Sequence, residues 1–248
     1  MRTVRAAFRF VTFTAATLGL YAVWLAANPF VSDKRRWRQW IFGAWTNSFV
    51  RISNMKIEVT GTPPTAPFFL VTNHLSYTDI GAIRAAVTGI FVAKKEVESW
   101  FLAGRICRDM GTIFIDRSNR RDIPRAGEKI IERLEHGEGV IVFPEGTSTK
   151  GDEVLTFNSS FFEFAAKSGI PVSYASLTYR TPTDEPPASM TVTWWDDIGF
   201  FAHLWRLFRI YEYTAILNFG DKTILHSDRK QLAKELQRSV AKSFVPVK

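Results

Sequence analysis

Residues 10–27 form an uncharged, largely apolar stretch near the start of the chain. Its 18 positions reach the lower limit for a helix that spans a bilayer. Basic residues lie on both sides, Arg9 before it and Lys34 after it, so charge does not fix an orientation. A signal peptide would end in a small-x-small cleavage site, and an ordinary core helix would carry a polar stripe. The pattern favours a membrane anchor over both of these alternatives.

The next segment, 37–52, carries apolar and aromatic residues at three- and four-residue spacing, which predicts an amphipathic helix. Trp37, Trp40 and Trp45 share its apolar face. Such a helix could lie in the headgroup layer of a membrane, where tryptophan is enriched, or dock on the domain behind it. We therefore predict a membrane-anchoring helical pair over residues 1–54 and one folded domain over 55–248.

From Lys56 onward, short apolar runs alternate with more polar, helix-forming stretches. Continuous Val, Ile and Phe, as in 140–143, are typical of strands buried on both faces of a parallel sheet. The predicted strands cover 56–60, 67–72, 89–93, 112–116, 139–143, 171–178, 189–195 and 213–219. The predicted helices cover 79–88, 96–108, 122–136, 158–168, 200–209 and 226–243. This alternation predicts an α/β fold with a mostly parallel central sheet flanked by helices.

Composition narrows the class of partner. The 248 residues, 46% of them hydrophobic, can bury one sizeable core, and the net charge of +8 indicates an anionic partner. Eight tryptophans and 21 phenylalanines favour a membrane surface over nucleic acid, for which the chain has no readable binding motif. The single cysteine, Cys107, excludes an internal disulfide and a multi-cysteine metal site.

The most informative motif is His74-Leu-Ser-Tyr-Thr-Asp79, directly after a predicted buried strand. In one continuous helix the two side chains would point about 140° apart. Ser76 supplies a break, because Ser76-Tyr-Thr-Asp79 has the pattern of a helix N-cap with an acidic third residue. His74 would then lie in the turn, where an Asp79 oxygen could accept a hydrogen bond from its Nδ1. A general base with its orienting carboxylate and a simple capped helix are both compatible with this pattern.

Two further motifs follow predicted strands. After 140–143, Pro144 ends the ladder and Glu145 is displayed at the carboxyl end, where open α/β sheets bind ligands. After 112–116, Arg117 has the planar fork suited to a phosphate, although an exposed charged loop would have the same residues.

The helix predicted at 200–209 places His203, Arg206 and Arg209 on one stripe, with aromatic residues around the remainder. Contact with a membrane or an acyl chain and half-burial against the sheet both fit this pattern. His203 is interpreted as a polar-face residue.

Together, in this order and spacing, the motifs resemble the four sequence blocks of the glycerolipid acyltransferase family, of the lysophosphatidic acid acyltransferase type. Asn73–Asp79 resembles the first block and Gly111–Arg117 the second. Phe143–Thr147 resembles the third and Ile170–Val172 the fourth. The resemblance covers about residues 55–180.

The resemblance implies acyl transfer from acyl-CoA or acyl carrier protein, as co-substrate, to the hydroxyl of a lysophospholipid. By it, His74 is the general base and Asp79 fixes its tautomer, and the hydroxyl attacks the thioester without an acyl-enzyme. The chain has no Gly-x-Ser-x-Gly elbow, which agrees with that route. Neither a metal nor a cofactor is implied, and the expected location is the inner membrane with the catalytic domain on its cytoplasmic side.

The resemblance also implies a substrate-binding set. Arg117 would hold the acceptor's phosphate, and Glu145, Gly146 and Thr147 would bind its glycerol end or shape the site. Members that form phosphatidic acid often have a basic residue after Glu-Gly-Thr, whereas this chain has Ser148. Lysophosphatidic acid is the expected acceptor. Another lyso-lipid, such as lyso-ornithine lipid, is the alternative, as is a lipid-binding module without catalysis.

Overall fold

The computed structural model describes residues 1–116 and 122–248. Within these residues, seven strands form one sheet. They are β1 (Met55–Thr60), β2 (Phe68–Thr72), β3 (Gly89–Lys94), β4 (Ile113–Ile115), β5 (Gly139–Val142), β6 (Val172–Arg180) and β7 (Tyr213–Phe219). Their order across the sheet is β1-β7-β6-β2-β5-β3-β4. Every neighbouring pair is parallel except β6 and β7, so the predicted mostly parallel α/β sheet is confirmed.

Helices cover both faces of this sheet in the described part of the chain. They are α1 (Arg2–Ala27), α2 (Lys34–Ser53), α3 (Thr78–Ala86), α4 (Ala103–Asp109), α5 (Asp122–Glu135), α6 (Glu163–Ser168), α7 (Ala188–Thr191), α8 (Phe200–Arg209) and α9 (Arg229–Ser243). Alternate residues of the central strands point to opposite faces, so Leu70 packs towards α2, α3 and α8 while Val71 packs towards α5, α6 and α9. Both faces of β2 and β5 are therefore buried, as their continuous apolar runs require.

Helix α1 lies along the surface of the folded domain and is attached to it near both ends. Close to its start, the Arg9 guanidinium donates to the carbonyl oxygens of Ile210 (2.7 Å) and Tyr211 (2.9 Å), just beyond α8. Close to its end, the Tyr21 hydroxyl donates to Asp109 Oδ2 at 2.8 Å, and Trp24 stacks on Trp37 of α2. The buried positions of α1, Ala6 and Arg9 near its start and Tyr21 and Trp24 near its end, are spaced three residues apart within each pair.

The segment Arg2–Phe30 is long and apolar enough to span a membrane, by length and composition alone. Within the described residues, no other helix meets these two criteria. Only 11% of its most apolar 18-residue window is buried against the rest of the protein. The helix therefore presents a docked face to the domain and a larger apolar face outwards.

Two predicted elements were wrong in detail. The run 189–195 is not a strand, because it begins with the short helix α7 and then turns so that Trp195 Nε1 donates to the Ser189 carbonyl at 3.0 Å. The helix predicted over 96–108 is divided, because Leu102 adopts a left-handed φ of 55° and Gly104 approaches the backbone of Glu98 too closely for any side chain.

Candidate active site

The site is assembled where β2 and β5 end side by side. Val71 pairs with Val142 in parallel register, so the residues that follow each strand emerge at the same edge of the sheet. There the backbone N–H of His74 donates to Glu145 Oε2 at 3.1 Å, and the His74 carbonyl accepts from the N–H of Thr149 at 3.0 Å. The first and third sequence blocks are thus joined by direct hydrogen bonds.

His74 and Asp79 meet as the break at Ser76 predicts. His74 Nδ1 lies 2.7 Å from Asp79 Oδ2, which also accepts the backbone N–H groups of Leu75 (2.8 Å) and Ser76 (3.1 Å). Because Oδ2 already accepts from two amides, it is an acceptor in this contact too, and the proton belongs on Nδ1. Nε2 is then the nitrogen left to take a proton from a substrate.

Asp79 also holds the segment that leads into α3. The N-cap of α3 is Tyr77, one residue after the predicted Ser76, and it makes no side-chain cap bond. The Thr78 N–H donates to Ser76 Oγ at a long 3.4 Å, and Asp79 accepts the Ser76 N–H. The carboxylate that orients His74 is therefore also held rigidly by the helix start.

The two side chains differ in exposure, as their roles would require. Asp79 is fully buried, whereas the His74 side chain keeps 24% of its surface exposed. The imidazole lies nearly parallel to the Phe143 ring at a centroid distance of 4.1 Å. Phe143 thus packs against the imidazole plane at the end of β5.

Glu145 is engaged by the backbone rather than directed at open space. Oε2 accepts from the N–H of His74, and Oε1 accepts from the N–H of Leu155 at 3.0 Å. Burial, with the nearby Asp79 charge adding to it, raises the pKa of Glu145 to about 8, although both amides act in the opposite direction. Through these two bonds, Glu145 stabilises the turn around His74.

We expect this carboxyl to make stability depend on pH. Its pKa in the folded state, about 8, exceeds the ordinary 4.5, so its contribution to stability is full below pH 4.5 and is lost as the pH rises through 8. Glu145→Gln cannot titrate. The melting temperature of the wild type should therefore fall relative to that of this variant between pH 5 and 9, measured by circular dichroism.

The control is Glu153→Gln, which changes an exposed carboxyl nearby. Its melting temperature should follow that of the wild type at every pH. Parallel curves for the wild type and Glu145→Gln would show that the Glu145 carboxyl keeps an ordinary acidity.

The other predicted binding residues are placed as follows. Gly146 has a left-handed φ of 82°, which a side chain at this sharp turn would disfavour. Thr147 is exposed next to it, and Ser148 Oγ donates to the Trp194 carbonyl. Arg117, the predicted phosphate contact, lies outside the described residues.

Sequence reasoning missed one residue that contacts the pair directly. The Tyr179 hydroxyl, from β6, donates to Asp79 Oδ1 at 2.8 Å. No local signal marks this residue, because it lies 100 positions from Asp79 along the chain.

His203 is not on a polar face, as its spacing with Arg206 had indicated, but fully buried. Its Nε2 faces the Thr193 carbonyl at 2.9 Å, and its Nδ1 lies 3.0 Å from the Tyr77 hydroxyl. Burial lowers the pKa of His203 to about 4, so the ring is neutral, donating from Nε2 and accepting at Nδ1. It connects α8 to the start of α3.

Comparisons with known proteins indicate the family of this chain. The family model "Acyltransferase" matches residues 56–175. A lyso-ornithine lipid O-acyltransferase from Pseudomonas aeruginosa is 30% identical, and the alignment covers 95% of this chain and 93% of that protein. A 1-acyl-sn-glycerol-3-phosphate acyltransferase from Neisseria gonorrhoeae is 32% identical over 66% of this chain and 64% of that protein.

The fold has a solved counterpart. The crystal structure of the 1-acyl-sn-glycerophosphate acyltransferase from Thermotoga maritima superimposes with a TM-score of 0.68, covering 98% of this chain and 97% of that one at 22% identity. That likeness extends to the N-terminal helices as well as the sheet. With a relative matched over nearly its whole length, and with the histidine and aspartate held together at the strand ends, the chain belongs to the acyltransferase family that includes the lyso-ornithine lipid and 1-acylglycerol-3-phosphate enzymes.

Proposed function

We propose that the chain transfers a fatty acyl group from a thioester donor, acyl-CoA or acyl carrier protein, to the hydroxyl of a lyso-lipid, with His74 as the general base. The observation that carries this proposal is the 2.7 Å contact between His74 Nδ1 and the buried Asp79 carboxylate. It fixes one tautomer and keeps the basic nitrogen for the substrate.

The step balances without a covalent enzyme intermediate. Nε2 of His74 takes the proton of the lyso-lipid hydroxyl as the oxygen attacks the thioester carbonyl carbon. The carbon–sulfur bond then breaks, and the departing thiolate receives the proton from the imidazolium. Asp79 stabilises the imidazolium while it exists, and its burial strengthens that interaction.

Two acceptors are supported by different observations. The whole-length similarity to a lyso-ornithine lipid enzyme, together with Ser148 after Glu-Gly-Thr, supports lyso-ornithine lipid. Arg117 at the end of the second block, together with the 1-acylglycerol-3-phosphate relative, supports lysophosphatidic acid giving phosphatidic acid.

A panel of donors and acceptors tests the proposal. Purified protein is given acyl-CoA or acyl carrier protein with lysophosphatidic acid, lyso-ornithine lipid or a lyso-lipid with a neutral headgroup, and the acylated product is measured. If lysophosphatidic acid is the acceptor, Arg117→Ala should raise its KM without affecting a neutral acceptor. Unreacted thioester and lyso-lipid in every combination would leave only a non-catalytic lipid-binding role.

We also propose that the protein docks on the membrane through an outer apolar face. Exposed side chains of α1 contribute Phe8 and Val11, and exposed aromatic residues of α8 contribute Phe201 and Trp205. Phe10 contacts both of the latter, with ring centroids 6.4 and 6.3 Å apart, so the two helices form one continuous surface. Because α1 is attached to the domain near both ends, it would lie in the interface rather than cross it.

The net charge supports the cytoplasmic leaflet as the docking side. That leaflet is anionic, and the chain carries +8. Thioester donors of this class are also water-soluble, which agrees with a site facing the cytoplasm.

Acidic substitutions on the outer apolar face should weaken membrane binding. We expect the double variant Phe8→Asp/Val11→Asp to lose about tenfold or more of its binding to vesicles containing phosphatidylglycerol, because two apolar side chains no longer enter the interface. Sedimentation with the vesicles measures this. Leu225→Asp, which changes an exposed leucine between β7 and α9, is the control and should bind as the wild type does. Unchanged binding of the double variant would place the docking surface elsewhere.

A further inference from the structure

The second oxygen of Asp79 is held by a chain of hydroxyl groups. Thr78 Oγ1 donates to the Tyr179 hydroxyl oxygen at 2.9 Å, and that hydroxyl donates onward to Asp79 Oδ1 at 2.8 Å. Thr78, Asp79 and Tyr179 are all buried, with Tyr179 only 1% exposed. The chain of donors therefore has a fixed direction that ends on the carboxylate.

Tyr179 remains a donor at every physiological pH. Burial, with the Asp79 charge adding to it, holds the pKa of this phenol well above its usual range. Its ring also packs against that of Tyr213, with centroids 6.0 Å apart, on the neighbouring strand. The strand register of the sheet thus sets where the hydroxyl points.

We propose that Tyr179 is a positioning residue for the acyl-transfer reaction, setting through Asp79 how strongly His74 holds a proton. This inference rests on the proposed function of the His74–Asp79 pair. The Tyr179 hydroxyl draws part of the Asp79 charge towards Oδ1, away from the oxygen that faces His74. A carboxylate with that donor holds the imidazolium less tightly than one without it, so more of His74 is neutral at a given pH.

The other titratable groups around the pair have separate partners. From the turn after β5, Glu145 accepts from the His74 and Leu155 amides. Tyr213 of β7 donates to Ser53 Oγ at 3.0 Å. Tyr77, just before α3, is hydrogen-bonded to His203 of α8. Among these described groups, the hydroxyl of Tyr179 has the direct bond to Oδ1, so its removal has a distinct effect.

The test is the pH profile of kcat/KM for Tyr179→Phe in the full-length protein. Without the hydroxyl, His74 stays protonated to higher pH, so the acid limb should move up by about 0.5 to 1 pH unit, the size of one buried hydrogen bond. At pH values below the limb we expect kcat to fall by about threefold to tenfold, the factor that a shift of this size produces, while KM for both substrates is unchanged. Thr78→Val, which weakens the same chain one step earlier, should shift the limb in the same direction by less.

Tyr213→Phe is the matched control, because it removes an equally buried, hydrogen-bonded hydroxyl from the adjacent ring without touching Asp79. Its acid limb should coincide with that of the wild type. If Tyr179→Phe loses activity while the acid limb of its pH profile is unshifted, Tyr179 acts only in packing, and this inference is overturned. Absence of acyl transfer in the wild type would instead overturn the proposed function.

Discussion

His74→Ala should abolish acyl transfer, lowering kcat by about 10³-fold or more, within the range that general-base catalysis contributes. The physical reason is that Nε2 is lost, while Asp79 keeps the amides of Leu75 and Ser76 and the Tyr179 hydroxyl as donors. The fold should therefore survive. The measurement is product formation by the purified variant, with its circular dichroism spectrum and vesicle binding recorded in parallel.

The control for this substitution is His136→Ala, which removes an exposed histidine at the end of α5. Nδ1 of His136 faces only the Glu132 carbonyl, one turn earlier in the helix. Full activity is expected there. If His74→Ala remained within tenfold of the wild type, the base would have to be another group, and the reaction route proposed above would be wrong.

The strands of the sheet were predictable because a strand buried on both faces has a continuous run of apolar residues in the sequence. Val140–Val142 is apolar on every residue, as a strand between two layers of helices must be, and Pro144 marks where it stops. The same reasoning failed for 189–195. There the Thr193 hydroxyl and the Trp195 indole both donate to the Ser189 carbonyl within a turn, a local arrangement that hydrophobicity does not reveal.

The contact between His74 and Asp79 was likewise predictable from local chemistry. The break at Ser76 determines that His74 and Asp79 can meet, and both lie within one short segment. The contacts that support them could not be found in this way, because the fold brings their partners from distant strands and turns. Glu145 was identified from the sequence, but its bonds to the amides of His74 and Leu155 were not, and Tyr179 reaches Asp79 from β6.

More than one element of the fold holds Asp79 in place. The buried carboxylate receives two amides, an imidazole and a phenol, so its position is determined by α3 and β6 together. The imidazole is held on one side by that carboxylate and along its plane by Phe143. For the proposed general base, this preorganisation means that little rearrangement accompanies proton transfer, which is where electrostatic catalysis gains most.

Asp79→Asn tests that preorganisation and should have an effect as large as that of removing the base. Oδ2 is the oxygen that faces Leu75, Ser76 and His74 together, so an amide oxygen at this place leaves the NH₂ group facing Tyr179 and still accepts from His74 Nδ1. The neutral amide, however, no longer stabilises the imidazolium that forms when Nε2 takes the substrate proton. We expect kcat to fall by about 10³-fold, since a close charge pair is worth about 4 kcal/mol at an effective dielectric constant of about 20.

The tautomer itself can be read by nitrogen NMR of the histidine ring, which should place the proton on Nδ1 both in the wild type and in Asp79→Asn. Asp228→Asn is the matched control, because Asp228 also accepts helix-start amides, those of Lys230 and Gln231, but lies at α9. Asparagine caps helices as well as aspartate does, so this variant should keep its activity and its stability. An inactive Asp79→Asn with the proton on Nε2 would mean that Asp79 acts mainly by selecting the nitrogen that bears the proton, and a fully active variant would mean that its charge is not needed.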